Sequence, residues 1–263
     1  LFVGGMSDAK LVQQAFTLRT HDLDRSAHLS AAALCRILEN PRWDALRSDG
    51  LVGASVNIGV LRAQSLEIER RVGFGEKIEV SMWLSGVGRT SFALGYEIRS
   101  SADGAVVARS AGSFVSTDIE GRPRPVGPGL ERMVSDRETI EVPRLDHSPG
   151  ANAWSQSLVV RPSDVDLLRH VNQARYVDYI EDTRYACARA GGYGEHGQGA
   201  DAELRYLAAS NEGQPREGDR LRVTTWALSH APGQYAFEVR RETDAAPMLK
   251  ARVEVESSEA EDA

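Results

Sequence analysis

Two spacings of hydrophobic residues alternate along the chain. From about Gln173 to Arg189 the apolar positions recur every three or four residues. Val171, Ala174, Val177 and Ile180 form one stripe, and Tyr176, Thr183 and Cys187 widen it. Asn172, a strong N-cap type, precedes the run, and Gly191 and Gly192 follow it. That pattern predicts a long helix. Elsewhere the period is two. Residues 13–19, 65–71, 77–83, 91–99 and 106–115 alternate in this way, for example Phe92, Leu94, Tyr96 and Ile98, and so do 157–161, 203–207, 220–228, 234–241 and 248–255. Short alternating runs with glycine-containing turns predict antiparallel meanders.

The pattern occurs twice. Residues 19–43 repeat residues 161–185: Asp22, Asp24 and His28 match Asp164, Asp166 and His170, each 142 positions on. Ser30 matches Asn172, Glu39 matches Glu181, and Arg42 matches Arg184. Further on, GEKIEVSMW (75–83) answers GDRLRVTTW (218–226) at a shift of 143. One offset held across separated segments marks an internal duplication, so each half is expected to be a strand, a long helix and four strands. In the first half, Pro41 is expected to disturb the helix near its last turns. Between Tyr206 and Gly218 the second copy is five residues longer than the first is between Ile68 and Gly75, and residues 208–218 are expected to be a loop.

The chain has 263 residues, enough for two cores of about 120 residues each. The expected domains are 7–117, a connector over 118–153 that holds five of the ten prolines and wanders over the surface, and 154–263. The second domain ends in an acidic tail from Glu254 on, expected to be solvated and frayed. A net charge of −7 argues against a general nucleic-acid binder. Cys35 and Cys187 fall in predicted helices at non-equivalent positions without metal spacing, which fits buried free thiols in a reducing compartment. The five residues before Met6 are too few for a signal peptide. No apolar run is long enough to span a membrane, and a cytoplasmic protein is expected.

The candidate chemistry lies where the second copy's helix begins. Asp166 and His170 bring a carboxylate and an imidazole next to a helix start, whose free amides, around Val171, Asn172 and Gln173, can stabilise developing negative charge. Asp166 is the candidate base or nucleophile, with His170 orienting it, a water or the substrate. The plain alternatives are an Asx-turn for Asp166, a backbone partner for His170 and a helix cap for Asn172. Asp24 and His28 are a second candidate site or a relic of the duplication. Glu181 and Arg184 are expected to form a helix ion pair. Gly192, Gly194 and Gly197 match a dinucleotide fingerprint by letter, but they follow a helix and predict a loop. His196 and His230 are expected in loops without metal spacing, and no cofactor or metal is expected. Arg122, Arg124, Arg169 and Arg175 are candidates for facing an acidic carrier or a phosphate.

D-x-D-x3-H-V-N-x3-Y at 164–176, with an acidic residue and an arginine further along the helix, resembles the signature of hotdog-fold thioesterases. The tandem arrangement resembles the acyl-ACP thioesterase family over about residues 13–255. The resemblance implies an α+β chain of two tandem hotdog domains, each a long helix packed on an antiparallel sheet, forming an intrachain pseudo-dimer. It also implies fatty acid release from acyl carrier protein, in fatty acid biosynthesis. In that family an Asp-x-Asn-x-His set acts with a downstream Glu. Here Asp166 and His170 match, Leu168 stands at the Asn position, Ala209 falls at the Glu position, and Glu212 is the nearest acid. The alternatives are an acyl-CoA thioesterase, a hotdog hydratase or dehydratase, and a non-catalytic acyl-thioester-binding protein. A homodimer is left open.

Overall fold

The structure is a computed structural model and describes residues 11–48, 58–118, 120–128, 130–150, 152–228 and 232–256. His230, residues 7–10 of the expected first domain and the acidic tail beyond Glu256 lie outside the described residues. The elements are β1 (Val12–Thr17), α1 (Ala31–Ser48), β2 (Ile58–Ile68), β3 (Lys77–Val87), β4 (Ser91–Ser100), β5 (Val106–Thr117), β6 (Trp154–Val159), α2 (Gln173–Arg189), β7 (Glu203–Asn211), β8 (Arg220–Ala227), β9 (Gln234–Arg241) and β10 (Pro247–Glu256). The expected strand–helix–four-strand order is present twice. β1 and β6 begin 142 positions apart, α1 and α2 likewise, and β3 and β8 begin 143 apart.

The chain divides into two compact units. The first takes residues up to Leu29, Arg36–Arg62 and Glu69–Val142, and the second takes Ser30–Cys35, Ala63–Ile68 and the chain from Pro143 on. In the first unit the strands run β1-β3-β4-β5-β2, and in the second β2-β7-β10-β9-β8-β6, with residues 63–67 of β2 pairing with Tyr206–Ser210. β1–β3, β3–β4, β4–β5, β2–β7, β7–β10, β10–β9, β9–β8 and β8–β6 are all antiparallel.

In the second unit α2 lies on β8 and β6. Its predicted stripe is the buried one: Ala174, Val177, Ile180 and Cys187 are sealed from solvent, and so are Leu221, Val223 and Thr225 of β8 and Tyr235, Phe237 and Val239 of β9. Burying a side chain such as Ile180 contributes about 1.5–3 kcal/mol. A glutamine on the first strand of each copy ties strand to helix. Gln156 Nε2 donates to Thr183 Oγ1 at 2.7 Å, and Gln14 Nε2 donates to Asp44 Oδ2 at 3.0 Å. In the first unit Ile78, Val80 and Ile98 are fully buried, and the Arg42 guanidinium lies 4.9 Å over the Phe114 ring.

Two expectations are corrected. Pro41 does not break α1, which continues to Ser48. A proline leaves the carbonyl four residues back without its helical donor, and Asn40 Nδ2 donates to Ile37 O at 3.4 Å in its place. The five extra residues of the second copy are not all loop, because β7 continues to Asn211 through its pairing with β10. The proline-rich segment runs over the surface as expected, with no buried residue among those described in 118–150, and it is held there by specific contacts. Val134 pairs with Leu84, Ser135 N donates to Leu84 O at 2.8 Å, and Arg137 lies over the Trp83 ring. Further on, His147 Nε2 sits 3.3 Å from Phe237 O with its ring edge-on to Trp226. Among the described residues no helix is long and apolar enough to cross a membrane.

Gly95 of β4 is where the pinned segment comes closest. A Cβ there would lie 2.5 Å from both Thr139 Cγ2 and Trp83 Cε2. Gly95→Ala is expected to destabilise the protein by about 1–3 kcal/mol through overpacking, read as a lower midpoint in urea unfolding. An unchanged midpoint would mean that the 134–139 segment yields freely.

Candidate functional site

The candidate site is a loop closed by backbone bonds at both ends. After β6 the chain makes a 3-10 turn over Pro162–Asp164, and α2 begins at Gln173. Between them Val165 pairs with Val171, Asp166 N donates to His170 O at 3.0 Å, and Arg169 N donates to Asp166 O at 2.9 Å. Arg169 has φ 61°, in the left-handed region. The first copy folds the same way. Leu23 pairs with Leu29, Asp24 N donates to His28 O at 2.8 Å, and Ala27 has φ 62°.

The aspartate of each loop shapes its turn. Asp166 Oδ1 accepts the Leu168 N–H at 2.8 Å, and Asp24 Oδ1 accepts the Ser26 N–H at 2.8 Å, both Asx-turns. Asp166 Oδ2 faces the His170 ring, with Nδ1 at 3.8 Å, and the same Nδ1 is 3.4 Å from Val171 O. Both side chains are partly exposed, 26% for Asp166 and 18% for His170, so this pair can meet a ligand. In the first copy the Asp24 carboxylate also takes the His28 backbone N–H at 3.2 Å.

The helix caps are as expected. Asn172 Oδ1 accepts the Ala174 N–H at 2.8 Å, and Ser30 Oγ accepts the Ala33 N–H at 3.1 Å. The expectation that amides around Val171 to Gln173 are open needs correcting. Val171 N–H donates to Pro215 O at 3.0 Å and Asn172 N–H to Asp164 O at 2.9 Å. The amide of Gln173, at the first helical position, is the remaining one of the three.

Glu212 follows the end of β7 with an exposed side chain, and its own N–H donates to Met248 O at 2.9 Å. Arg184 and Glu181 form a two-pronged pair at 3.1 Å, and the buried Arg184 also donates to Ala202 O at 2.8 Å. Arg175 pairs with Asp178 at 3.0 Å, and Arg124 with Asp118 at 2.7 Å. Cys35 and Cys187 are free and buried, and burial pushes the Cys187 thiol up to about 11. Among the described residues no group of three or more His, Cys, Asp or Glu is placed to hold a metal ion.

Sequence reasoning gave too little weight to Asp164. Its side chain is 1% exposed. Oδ2 accepts from Arg161 N at 2.9 Å, Arg161 Nε at 3.2 Å and the Tyr179 hydroxyl at 2.8 Å. Burial pushes this carboxyl up, but the Arg161 amide, the Tyr179 hydroxyl and the Arg161 guanidinium outweigh it and hold the group below its ordinary range. The signal available was the turn Pro162-Ser163-Asp164 after its cap Arg161, with proline at the turn's first position and an acid at its third. The Tyr179 contact, fifteen residues away, has no local signal.

A helix on an antiparallel sheet in each of two repeats, with a carboxylate–imidazole loop at a helix start, defines a tandem hotdog protein. Residues 18–144 match the family model described as "Thioesterase-like superfamily", and residues 148–190 match "Acyl-ACP thioesterase C-terminal domain". A dodecanoyl-[acyl-carrier-protein] hydrolase of Cinnamomum camphora is 22% identical over 65% of this chain and 50% of its own length. Among solved structures, the 12:0-ACP thioesterase from Umbellularia californica superposes with TM-score 0.77 at 17% identity over 94% of both chains. An acyl-ACP thioesterase from Bacteroides thetaiotaomicron gives 0.76 at 17% identity over 94% of this chain and 98% of its own. A thioesterase model thus covers most of the first repeat and an acyl-ACP thioesterase model the start of the second, and the chain is similar to acyl-ACP thioesterases. It spans about half the length of the curated relatives it matches.

The depressed Asp164 carboxyl carries a pH prediction. Its folded value lies below the ordinary 3.8, so its stabilisation is present above about pH 4 and is lost as pH falls through the folded value. Asp164→Asn is therefore expected to lower the urea midpoint at pH 7 by more than at pH 3. Equal losses at both values would show that charge on Asp164 contributes nothing. A second variant tests the buried Tyr176 hydroxyl, which has no hydrogen-bond partner among the described residues. Tyr176→Phe removes an unpaired polar group and is expected to stabilise by up to about 1 kcal/mol, and a loss of that size would show that the hydroxyl is satisfied in solution.

Proposed function

We propose that the chain hydrolyses fatty acyl thioesters carried on acyl carrier protein, releasing the free fatty acid. The observation that carries this is the pairing of Asp166 Oδ2 with the His170 ring on a closed, partly exposed loop, within the stretch that matches the acyl-ACP thioesterase C-terminal domain. The names of the curated relatives support the carrier-protein substrate. Acyl carrier protein is the proposed partner and the cytoplasm the proposed compartment.

Thioester hydrolysis needs an activated water or a carboxylate nucleophile, and a donor for the developing oxyanion. Asp166 Oδ1 is committed to the Leu168 amide, so Oδ2 is the oxygen that takes a proton from the attacking water and returns it to the thiolate as the C–S bond breaks, or that attacks the thioester carbon, expels the thiolate and leaves an acyl anhydride for water to open. A His170 tautomer with its proton on Nδ1 meets Val171 O and Asp166 Oδ2, which orients the ring and leaves Nε2 as an acceptor for water or thiol. The Gln173 amide is the proposed oxyanion donor. Glu212 is exposed and stays a lesser candidate, and Asp24 with His28 is the alternative pair.

A non-catalytic acyl-thioester-binding role is the second reading. Leu168 favours it, because an apolar side chain at that place offers no hydrogen bond to water or carbonyl. Free-thiol release from acyl-ACP and acyl-CoA separates the two readings, with wild type beside Asp166→Asn. Turnover that falls about 10²-fold or more in the variant supports the hydrolase and Asp166's role, and the panel ranks the carriers. Full activity in Asp166→Asn would remove Asp166 from the mechanism and bring Asp24 or Glu212 forward. Binding without turnover in wild type would establish the second reading.

A further inference from the structure

The duplication supplies an internal control, because one backbone path is built twice with different side chains. In both copies the loop carries an Asx-turn and a left-handed residue before the histidine. In both copies the aspartate ahead of the loop also accepts a backbone N–H three residues back: Asp22 Oδ2 from Arg19 and Asp164 Oδ2 from Arg161, each at 2.9 Å. The copies differ in what the helix adds. Tyr179 donates to Asp164 at 2.8 Å, and Arg175 Nε lies 3.9 Å from the other carboxylate oxygen. The corresponding positions of α1, 142 residues earlier, are Ile37 and Ala33, which have no polar side chain to offer. Asp164 is accordingly 1% exposed where Asp22 is 16%.

We infer that Asp164, clamped by Tyr179, is a positioning residue that fixes where Asp166 and His170 stand. The clamp joins three pieces of chain. Arg161 closes the end of β6 on the carboxylate, Tyr179 brings in the second turn of α2, and the Asp164 carbonyl takes the Asn172 N–H at the helix cap. Residues 165–171, which carry the candidate pair, begin and end on this one residue. A loop of seven residues whose two ends share an anchor has little freedom to drift from the helix start. Loss of the Tyr179 bond leaves the loop's own turn intact but frees it to move against α2. A reacting group misplaced by an ångström loses rate far out of proportion to the stability lost.

The inference rests on the loop at 165–171 being the reactive one, and the test keeps that reading separate. The full chain is compared as wild type, Tyr179→Phe and Asp164→Asn, following the imidazole Cε1–H resonances of His170 and His28, assigned with His170→Gln and His28→Gln. Positioning predicts that the His170 line moves by more than its width in both variants while the His28 line stays. In acyl-ACP hydrolysis kcat falls about tenfold or more with KM within about threefold, the signature of a group that acts in the transition state rather than in binding. A His170 line that stays in folded Tyr179→Phe, or His170 and His28 lines that move together, overturns the inference and leaves Asp164 a stability element. If Asp164→Asn does not fold, Tyr179→Phe alone decides. If wild type hydrolyses nothing, the hydrolase reading falls and the two resonances still decide the positioning.

Discussion

The proposed carboxylate–imidazole pair is carried on a loop that begins and ends on Asp164, whose own carboxylate is out of water. Asp164 keeps its charge in a buried place because its Oδ2 takes two donors from Arg161 and one from Tyr179. Among the described residues its other oxygen, Oδ1, has no hydrogen bond and relies on the Arg175 guanidinium at 3.9 Å. An ion pair at that distance is weak where Arg175 is a third exposed, so the three bonds to Oδ2 carry the anchoring. Everything downstream depends on it. The cap residue Asn172 hangs from the Asp164 carbonyl, and α2 starts from that cap.

The helix then fixes the rest of the second unit. Its buried stripe sets the rotation of α2 on β8 and β6, and Arg184 with Glu181 sets its far half. Arg184 is buried, yet its guanidinium is answered by both Glu181 oxygens and by Ala202 O, which meets the condition for keeping a charge inside. Tyr193 and Tyr235 stack at 3.9 Å beyond it, with the Tyr193 hydroxyl on Thr225. The site loop is therefore joined to the core through polar contacts at both ends of one helix.

The period of hydrophobic residues made the fold legible. α2 begins and ends at the residues the stripe and its caps define, and strands β3, β4 and β9 start where their alternation starts. What escaped prediction came from contacts distant in sequence or from a local rescue. Pro41 has the sequence mark of a helix break, and only the Asn40 side chain on Ile37 O shows why it is tolerated. Residues 118–150 have the composition of a surface connector and run there, but Thr139 against Gly95 and His147 against Trp226 are tertiary choices that composition does not encode. At the site, the Asp166–His170 spacing and the Asn172 cap were legible. The occupied amides of Val171 and Asn172 were not, since Pro215 O arrives from a turn more than forty residues on.

The Asx-turn bears on what chemistry the loop can do. A carboxylate with one oxygen tied to the Leu168 amide cannot rotate to offer either oxygen at will. Its free oxygen has a fixed direction, toward the His170 ring, and that direction is set by the backbone turn rather than by the residue at position 168. A leucine at 168 can thus be accommodated without disturbing Asp166, because the bond that orients the carboxylate comes from the amide every residue but proline possesses. What leucine removes is a polar side chain in the same turn, so in the proposed reaction the binding of water and carbonyl is left to His170 and the first amide of α2. The same turn recurs in the first copy, with Ser26 supplying the amide, so the backbone arrangement is common to both copies. The difference between the copies lies in what α2 contributes from behind the loop.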